Sequence, residues 1–333
     1  MKLHKRKFIV GTIMVCMTIF FSVTYSKENT STSVKPELRF DTEESFKIVQ
    51  FTDSQDGAII DPRTVSLMKK ILDYEKPNLV VLTGDNIDGK CKSIQDVKKA
   101  IESIAQPMEK RGIPWAVVFG NHDDEHGMMS KEEMMKLYKS YAHNISEIGF
   151  RDSTRVGNYN LLVKGSRSDT PAFNIYMLDS GKYSSDMQTY EWIKESQIAW
   201  YKHTSSQLKT KYNKTIPALM FFHIPLPEWK TLWDGGTAIG ERNEEECSPT
   251  VNSGLFNELV KTGDVKGVFV GHDHVNDYVG RLQGITLGYS RSIGYGTYGK
   301  EGFSRGGRVF LIKEGSPSNF QTWMRLEEDF SLF

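Results

Sequence analysis

The stretch Phe119-Gly120-Asn121-His122-Asp123-Asp124-Glu125 holds the densest chemistry in the chain. Its glycine lets the backbone turn sharply, and the Asn, His and carboxylates behind it offer a metal ligand, a proton donor and groups that orient that donor. Similar groups recur in short clusters: Asp53-Ser54-Gln55, Gly84-Asp85-Asn86, the lone His223, and Gly271-His272-Asp273-His274. No cysteine is among them, so the donors are hard oxygens and imidazole nitrogens, a set that suits divalent cations. Residues i and i+2 of an extended segment point the same way, which lets His272 and His274 enter one cluster.

Each cluster follows an apolar run, so the elements that position it can be read from the pattern. Strands are expected over 46–51, 79–83, 115–119, 159–163, 173–178, 218–222 and 265–270, and helices over 62–74, 94–110, 130–141, 191–208 and near 254–261. The tail over 277–326 shows β-like runs broken by glycine and no strong helix signal. Alternating β and α elements with a β-rich end predict an α/β, α+β-layered fold, a β-sandwich flanked by α-helices, in one domain over 45–333. Five buried strands then deliver their polar clusters at the same strand end, where open α/β sheets place their chemistry.

The ordered motifs resemble those of the calcineurin-like metallophosphoesterases. Asp53-Ser54-Gln55, Gly84-Asp85, Gly120-Asn121-His122-Asp123, His223 and Gly271-His272-Asp273-His274 match the family's D-x-H, G-D, G-N-H-[DE], H and G-H-x-H over about residues 46–275. The extended forms Phe222-His223-Ile224-Pro225-Leu226-Pro227-Glu228 and 271–277 resemble the purple acid phosphatase-like branch. The resemblance implies two divalent ions, drawn from Mn, Fe, Zn or Mg. Asp85 would bridge them, with Asp53, Gln55 and His274 completing one site and Asn121, His223 and His272 the other. It further implies a metal-bridging hydroxide as the nucleophile, with His122 as proton donor or charge stabiliser and Asp123 accepting the other N–H of that ring.

Two positions depart from the family pattern. Gln55 stands where the family usually carries His, and an amide oxygen is the poorer donor for a transition metal. That predicts a weak first site, served by a harder ion or filled only with substrate. Asp88 stands where the purple enzymes carry the colour-giving tyrosinate, so no purple ferric site is expected. Arg291 and Arg305, in or near the Gly- and Tyr-rich stretch 288–299, are the candidates for holding a phosphate, with surface ion pairing as the alternative. A polar insertion over 235–249 could be a lid or a solvated acidic loop.

Composition narrows the partner. With 38% hydrophobic and 11% aromatic residues the chain of 333 can build a sizeable core, and 42 basic residues balance 42 acidic ones. No basic groove marks a nucleic-acid binder, so a small phosphorylated substrate is expected, a monoester ahead of a diester, and a nuclease is disfavoured. The rival from another class is a catalytically weakened homologue that only binds a ligand. Lys2, Lys5, Arg6 and Lys7 precede an apolar run over 8–23, which reads as an export segment over 1–26. Cleavage near Ser26 gives a secreted or periplasmic protein, and retention gives a cell-surface anchor, the one case in which a membrane is a partner. Residues 27–44 read as a linker. Cys91 and Cys247 would remain, with their pairing open.

Overall fold

The computed structural model describes residues 35–151, 155–185 and 187–330; the expected export segment lies outside the described residues. The linker expected over 27–44 does not extend to its full length. Residues 35–333 belong to one compact unit, in which Leu38 and Phe40 are buried and the Phe40 N–H donates to the Lys164 carbonyl at 3.0 Å.

Two mixed sheets form the centre. The first has the order β11-β10-β1-β2-β3, from β1 (Ser45–Phe51), β2 (Leu79–Thr83), β3 (Trp115–Val118), β10 (Gly306–Lys313) and β11 (Gln321–Leu326). β1, β2 and β3 run parallel, joined through α1 (Pro62–Glu75) and α2 (Ile94–Glu109). The second has the order β4-β5-β6-β7-β9-β8, from β4 (Tyr159–Lys164), β5 (Pro171–Met177), β6 (Ala218–Phe221), β7 (Val265–Val270), β8 (Val279–Leu282) and β9 (Ile285–Tyr289). Here β5, β6, β7 and β9 are parallel.

Strand alternation divides the apolar side chains between two cores. Ile175, Met177, Leu219, Phe221 and Phe269 face the first sheet and join its core. The Phe269 ring stands 4.5 Å and the Phe221 ring 5.4 Å from that of Phe310 on β10. The alternate residues Tyr176, Met220, Val268 and Val270 form the other core with Tyr201, Trp229, Leu255 and Leu259. These come from α4 (Glu195–Tyr212), α5 (Glu228–Asp234) and α6 (Leu255–Thr262).

The helix expected over 191–208 begins and ends four residues later. The Gln197 side chain accepts from the Lys194 N–H at 2.8 Å and closes the N-terminal turn there, and Asn213 in the left-handed conformation ends it. α5 runs from the end of the motif over 222–228 to the polar insertion over 235–249, where no element is expected, and α3 (Lys131–Lys139) starts from a capping box of Ser130 and Glu133. Among the described residues no helix is long and apolar enough to cross a membrane.

Candidate metal centre

The carboxyl ends of β1, β2, β3, β6 and β7 lead directly to Asp53, Asp85, Asn121, His223 and His272. The tight turns there are strained. Asp53, Gln55, Asp85 and His272 have φ of 53°, 35°, 47° and 79°, the left-handed region that side chains avoid unless the surroundings impose it. Glycine makes the closest approaches possible. A Cβ on Gly120 would stand 2.2 Å from Asp85 Oδ1, and one on Gly271 would stand 1.9 Å from Thr52 Oγ1.

Within this ring the donors converge. His223 Nε2 lies 2.9 Å from Asp85 Oδ2 and 3.8 Å from Asp53 Oδ1, and His274 Nε2 lies 3.3 Å from Asp53 Oδ1. His272 Nδ1 is 3.3 Å from His223 Nε2. Outer contacts aim the rings: His223 Nδ1 bonds the Thr83 carbonyl at 2.9 Å, and His274 stacks on Tyr298 with centroids 4.0 Å apart. Asp53, Asp85, Asn121, His223, His272 and His274 are all buried.

Electrostatics favour a cation here. Burial opposes charge on Asp53 and Asp85, but the facing histidines outweigh it and hold both carboxyls below their usual range. Burial likewise opposes charge on His223, yet the Asp85 and Asp53 carboxylates raise its pKa to about 9. Burial, reinforced by the His223 charge, lowers that of His272 to about 3. Asn121 Oδ1 is buried without a hydrogen-bond partner. An acceptor left so is costly unless something absent from the protein satisfies it. Hard oxygens, imidazole nitrogens and an orphaned amide oxygen fit divalent cations held by Asp53, Asp85, Asn121, His223, His272 and His274.

Gln55 is half-buried on the same rim, and its Oε1 accepts from Thr297 Oγ1 at 2.8 Å. Asp88 pairs with Lys90 at 2.8 Å. His122 stands at the mouth of the cluster with its N–H on Asp85 Oδ1 at 2.8 Å. Its ring partner is Glu125, not Asp123: Nδ1 lies 2.6 Å from Glu125 Oε2. The Asp123 carboxylate is turned inward and accepts the N–H groups of Gly120, Asn86 and Ile87 at 2.7, 3.0 and 3.2 Å, tying the loop after β3 to the loop after β2. Burial and the nearby Asp85 push its pKa up to about 7.

The two arginines expected to hold phosphate are engaged inside the protein. Arg291 is buried, pairs with Asp277 at 2.8 Å, bonds the Ser304 carbonyl at 3.0 Å and lies 3.5 Å over the Phe303 ring. Arg305 donates to the carbonyls of Thr297 and Tyr298 at 3.0 and 2.7 Å, bracing the strand of chain that carries the ring stacked on His274. Sequence reasoning also passed over the aromatic wall. Tyr183 accepts from Asn121 Nδ2 at 3.2 Å, stacks on Tyr190 at 5.3 Å, and Tyr190 stands edge-on 4.5 Å from His272. Neither tyrosine carries a motif that could have marked it, whereas Tyr298 lies in the Gly- and Tyr-rich stretch 288–299.

Comparison with known proteins agrees with this geometry. Residues 46–276 match the family model for calcineurin-like phosphoesterases. The chain is 33% identical to "Probable inactive purple acid phosphatase 14" of Arabidopsis thaliana, with 97% of this chain and 91% of that protein covered. It is 34% identical to "Phosphatase DCR2" of Saccharomyces cerevisiae, over 85% of this chain and 54% of that protein. Its fold resembles that of a dimetal phosphatase from Danio rerio, with a TM-score of 0.54 at 14% identity and coverage of 84% and 98%. The family match takes in every carboxylate, amide and imidazole that converges at the strand ends, and the chain belongs to the calcineurin-like phosphoesterase family.

Proposed function

We propose that this chain is a metal-dependent phosphoesterase acting on a small phosphate ester, monoesters ahead of diesters. The observation that carries the reading is the pairing of an enclosed donor cluster with a titratable His122 at its mouth. Divalent cations held by the cluster supply positive charge against phosphoryl oxygens and make a water more acidic. His122 supplies the proton. Burial works against its charged form, but Asp85 and Glu125 outweigh that and raise its pKa, so the ring keeps a proton to higher pH. With Nδ1 held by Glu125, Nε2 is the nitrogen that delivers the proton to the departing oxygen. Tyr183 stands 6.2 Å from the His122 ring and bounds the space for the leaving group.

The test is hydrolysis of an aryl phosphate by purified protein, alongside a panel of alkyl monoesters and diesters. Chelation should abolish turnover and a divalent ion should restore it. Metal-free protein with undiminished turnover overturns the reading.

A second reading, ligand binding without turnover, is favoured by the amide of Gln55, already bonded to Thr297, where the family has an imidazole. Full metal content with no turnover on any ester would establish it. The basic and apolar N-terminal residues support export, which the mass of the mature N-terminus would test.

A further inference from the structure

On the outer side of His272 stands a second set of donors that the hydrolytic reading does not use. The Cys247 thiol, a ring nitrogen of His272 and a carboxylate oxygen of Asp273 lie within 4.8 Å of one another. The Cys247 N–H donates to both Asp273 oxygens at 3.2 and 3.3 Å, which fixes the loop that carries the thiol against the carboxylate. Asp273 is itself held by the Tyr289 hydroxyl at 2.6 Å. His272 is 7% exposed. Its Nδ1 faces His223 Nε2, and its Nε2 is buried with no hydrogen-bond partner. The ring therefore offers one nitrogen to the centre already described and leaves the other unused.

We propose that His272 Nε2, Cys247 and Asp273 form a further cation site, selective for a thiophilic ion such as zinc. A thiolate, an imidazole and a carboxylate with one position left for water make an open tetrahedral set. Zinc bonded at ordinary lengths would bring sulfur and nitrogen to about 3.5 Å apart. The three donor atoms lie no more than 4.8 Å apart, and Cys247 is an exposed residue whose side chain can close on the ion. On binding, the sulfur–metal bond forms as the thiol proton leaves to solvent; when Nδ1 already holds a cation, the Nε2 proton of His272 leaves as well and the ring bridges the two sites as imidazolate, with no change of oxidation state. Among the described residues the other thiol, Cys91, is buried and free and takes no part; Cys16 lies outside them.

Cobalt(II) is the probe, added to metal-free full-length protein. A thiolate-to-cobalt absorption should appear in the near ultraviolet, saturate at one thiolate-bound ion per chain and be displaced by zinc. Cys247→Ser should abolish it, Cys91→Ser should leave it, and Asp273→Asn should weaken cobalt binding about tenfold. Bound zinc should also slow the reaction of Cys247 with an aromatic disulfide reagent. Absence of the absorption, its survival in Cys247→Ser, or unchanged affinity in Asp273→Asn overturns the site. The absorption reports sulfur alone, so an inactive protein that shows it fails only the phosphoesterase reading, and an active one without it fails only this inference.

Discussion

Glu125→Gln tests whether the charge beside His122, rather than the neighbouring Asp123, sets the proton donor. The perturbation removes a negative charge 2.6 Å from Nδ1 while keeping a side chain of the same size. At that range the Coulomb attraction would be about 6 kcal/mol at an effective dielectric constant of 20. The two side chains are 27% and 35% exposed, so solvent screens much of this, and exposed pairs retain only about 0.2–1 kcal/mol. A value near 1.4 kcal/mol is reasonable for a half-buried pair, which is about one pKa unit. His122 has a raised pKa, so its acid form is lost as pH rises through that value, and removing Glu125 moves the loss to lower pH. The basic limb of the kcat/KM profile should fall by about one unit, and on the basic side of both profiles the rate with an alkyl ester should drop by about tenfold. An aryl ester, whose leaving group needs little protonation, should be nearly unaffected. Asp123→Asn replaces an acceptor of three backbone N–H groups, so it should cost roughly 1–3 kcal/mol of stability with the profile unmoved. Profiles that overlay for wild type and Glu125→Gln, together with a shift in Asp123→Asn, would refute the assignment.

Gln55→His should tighten zinc relative to manganese in competition titrations, since imidazole is the better donor for zinc; equal affinities would show that residue 55 does not reach the metal. Gly120→Ala puts a methyl 2.2 Å from Asp85 Oδ1 and should lower the midpoint of thermal unfolding and abolish metal retention. A variant that keeps both would show that the loops separate freely. Arg291→Ala breaks a buried pair with Asp277 and should cost about 3–5 kcal/mol in denaturant unfolding without a specific rise in KM. A raised KM at unchanged stability would restore its role in holding phosphate.

The strands and the order of ligands were legible because both depend on short-range pattern. A buried run such as Leu79–Thr83 must be a strand, and the polar residues next in the chain must emerge at its end. The partners of His122, Arg291 and Arg305 were not legible, because they depend on which way a side chain turns after a strained bend. Asp123 adjoins His122 in sequence, yet the turn that exposes one buries the other. Glu125 comes back to the ring because a turn brings positions i and i+3 together, with the Glu125 N–H on the His122 carbonyl at 3.2 Å. The arginines lie in a stretch whose glycines conceal its periodicity, and their acceptors are carbonyls and a carboxylate that no motif announces.

The centre also explains why so much strain collects in one place. Asp53, Asp85 and Asn121 come from the first sheet, and His223, His272 and His274 from the second. The aromatic contacts among Phe221, Phe269 and Phe310 join the sheets through their faces, and the site joins them at their carboxyl ends. Ligands from separate sheets can share a cation only if the backbones bend toward one another. Four left-handed residues, Asp53, Gln55, Asp85 and His272, lie there, together with Gly84, Gly120 and Gly271, none of which has room for a Cβ. Cations held there would act as cross-links between the sheets and stabilise the folded chain by mass action. Metal should therefore raise the unfolding midpoint of wild type in a concentration-dependent way, and His223→Ala, which deletes a donor from the second sheet, should lose most of that dependence. An equal metal-induced rise in both proteins would mean that the cations do not bridge the sheets through His223.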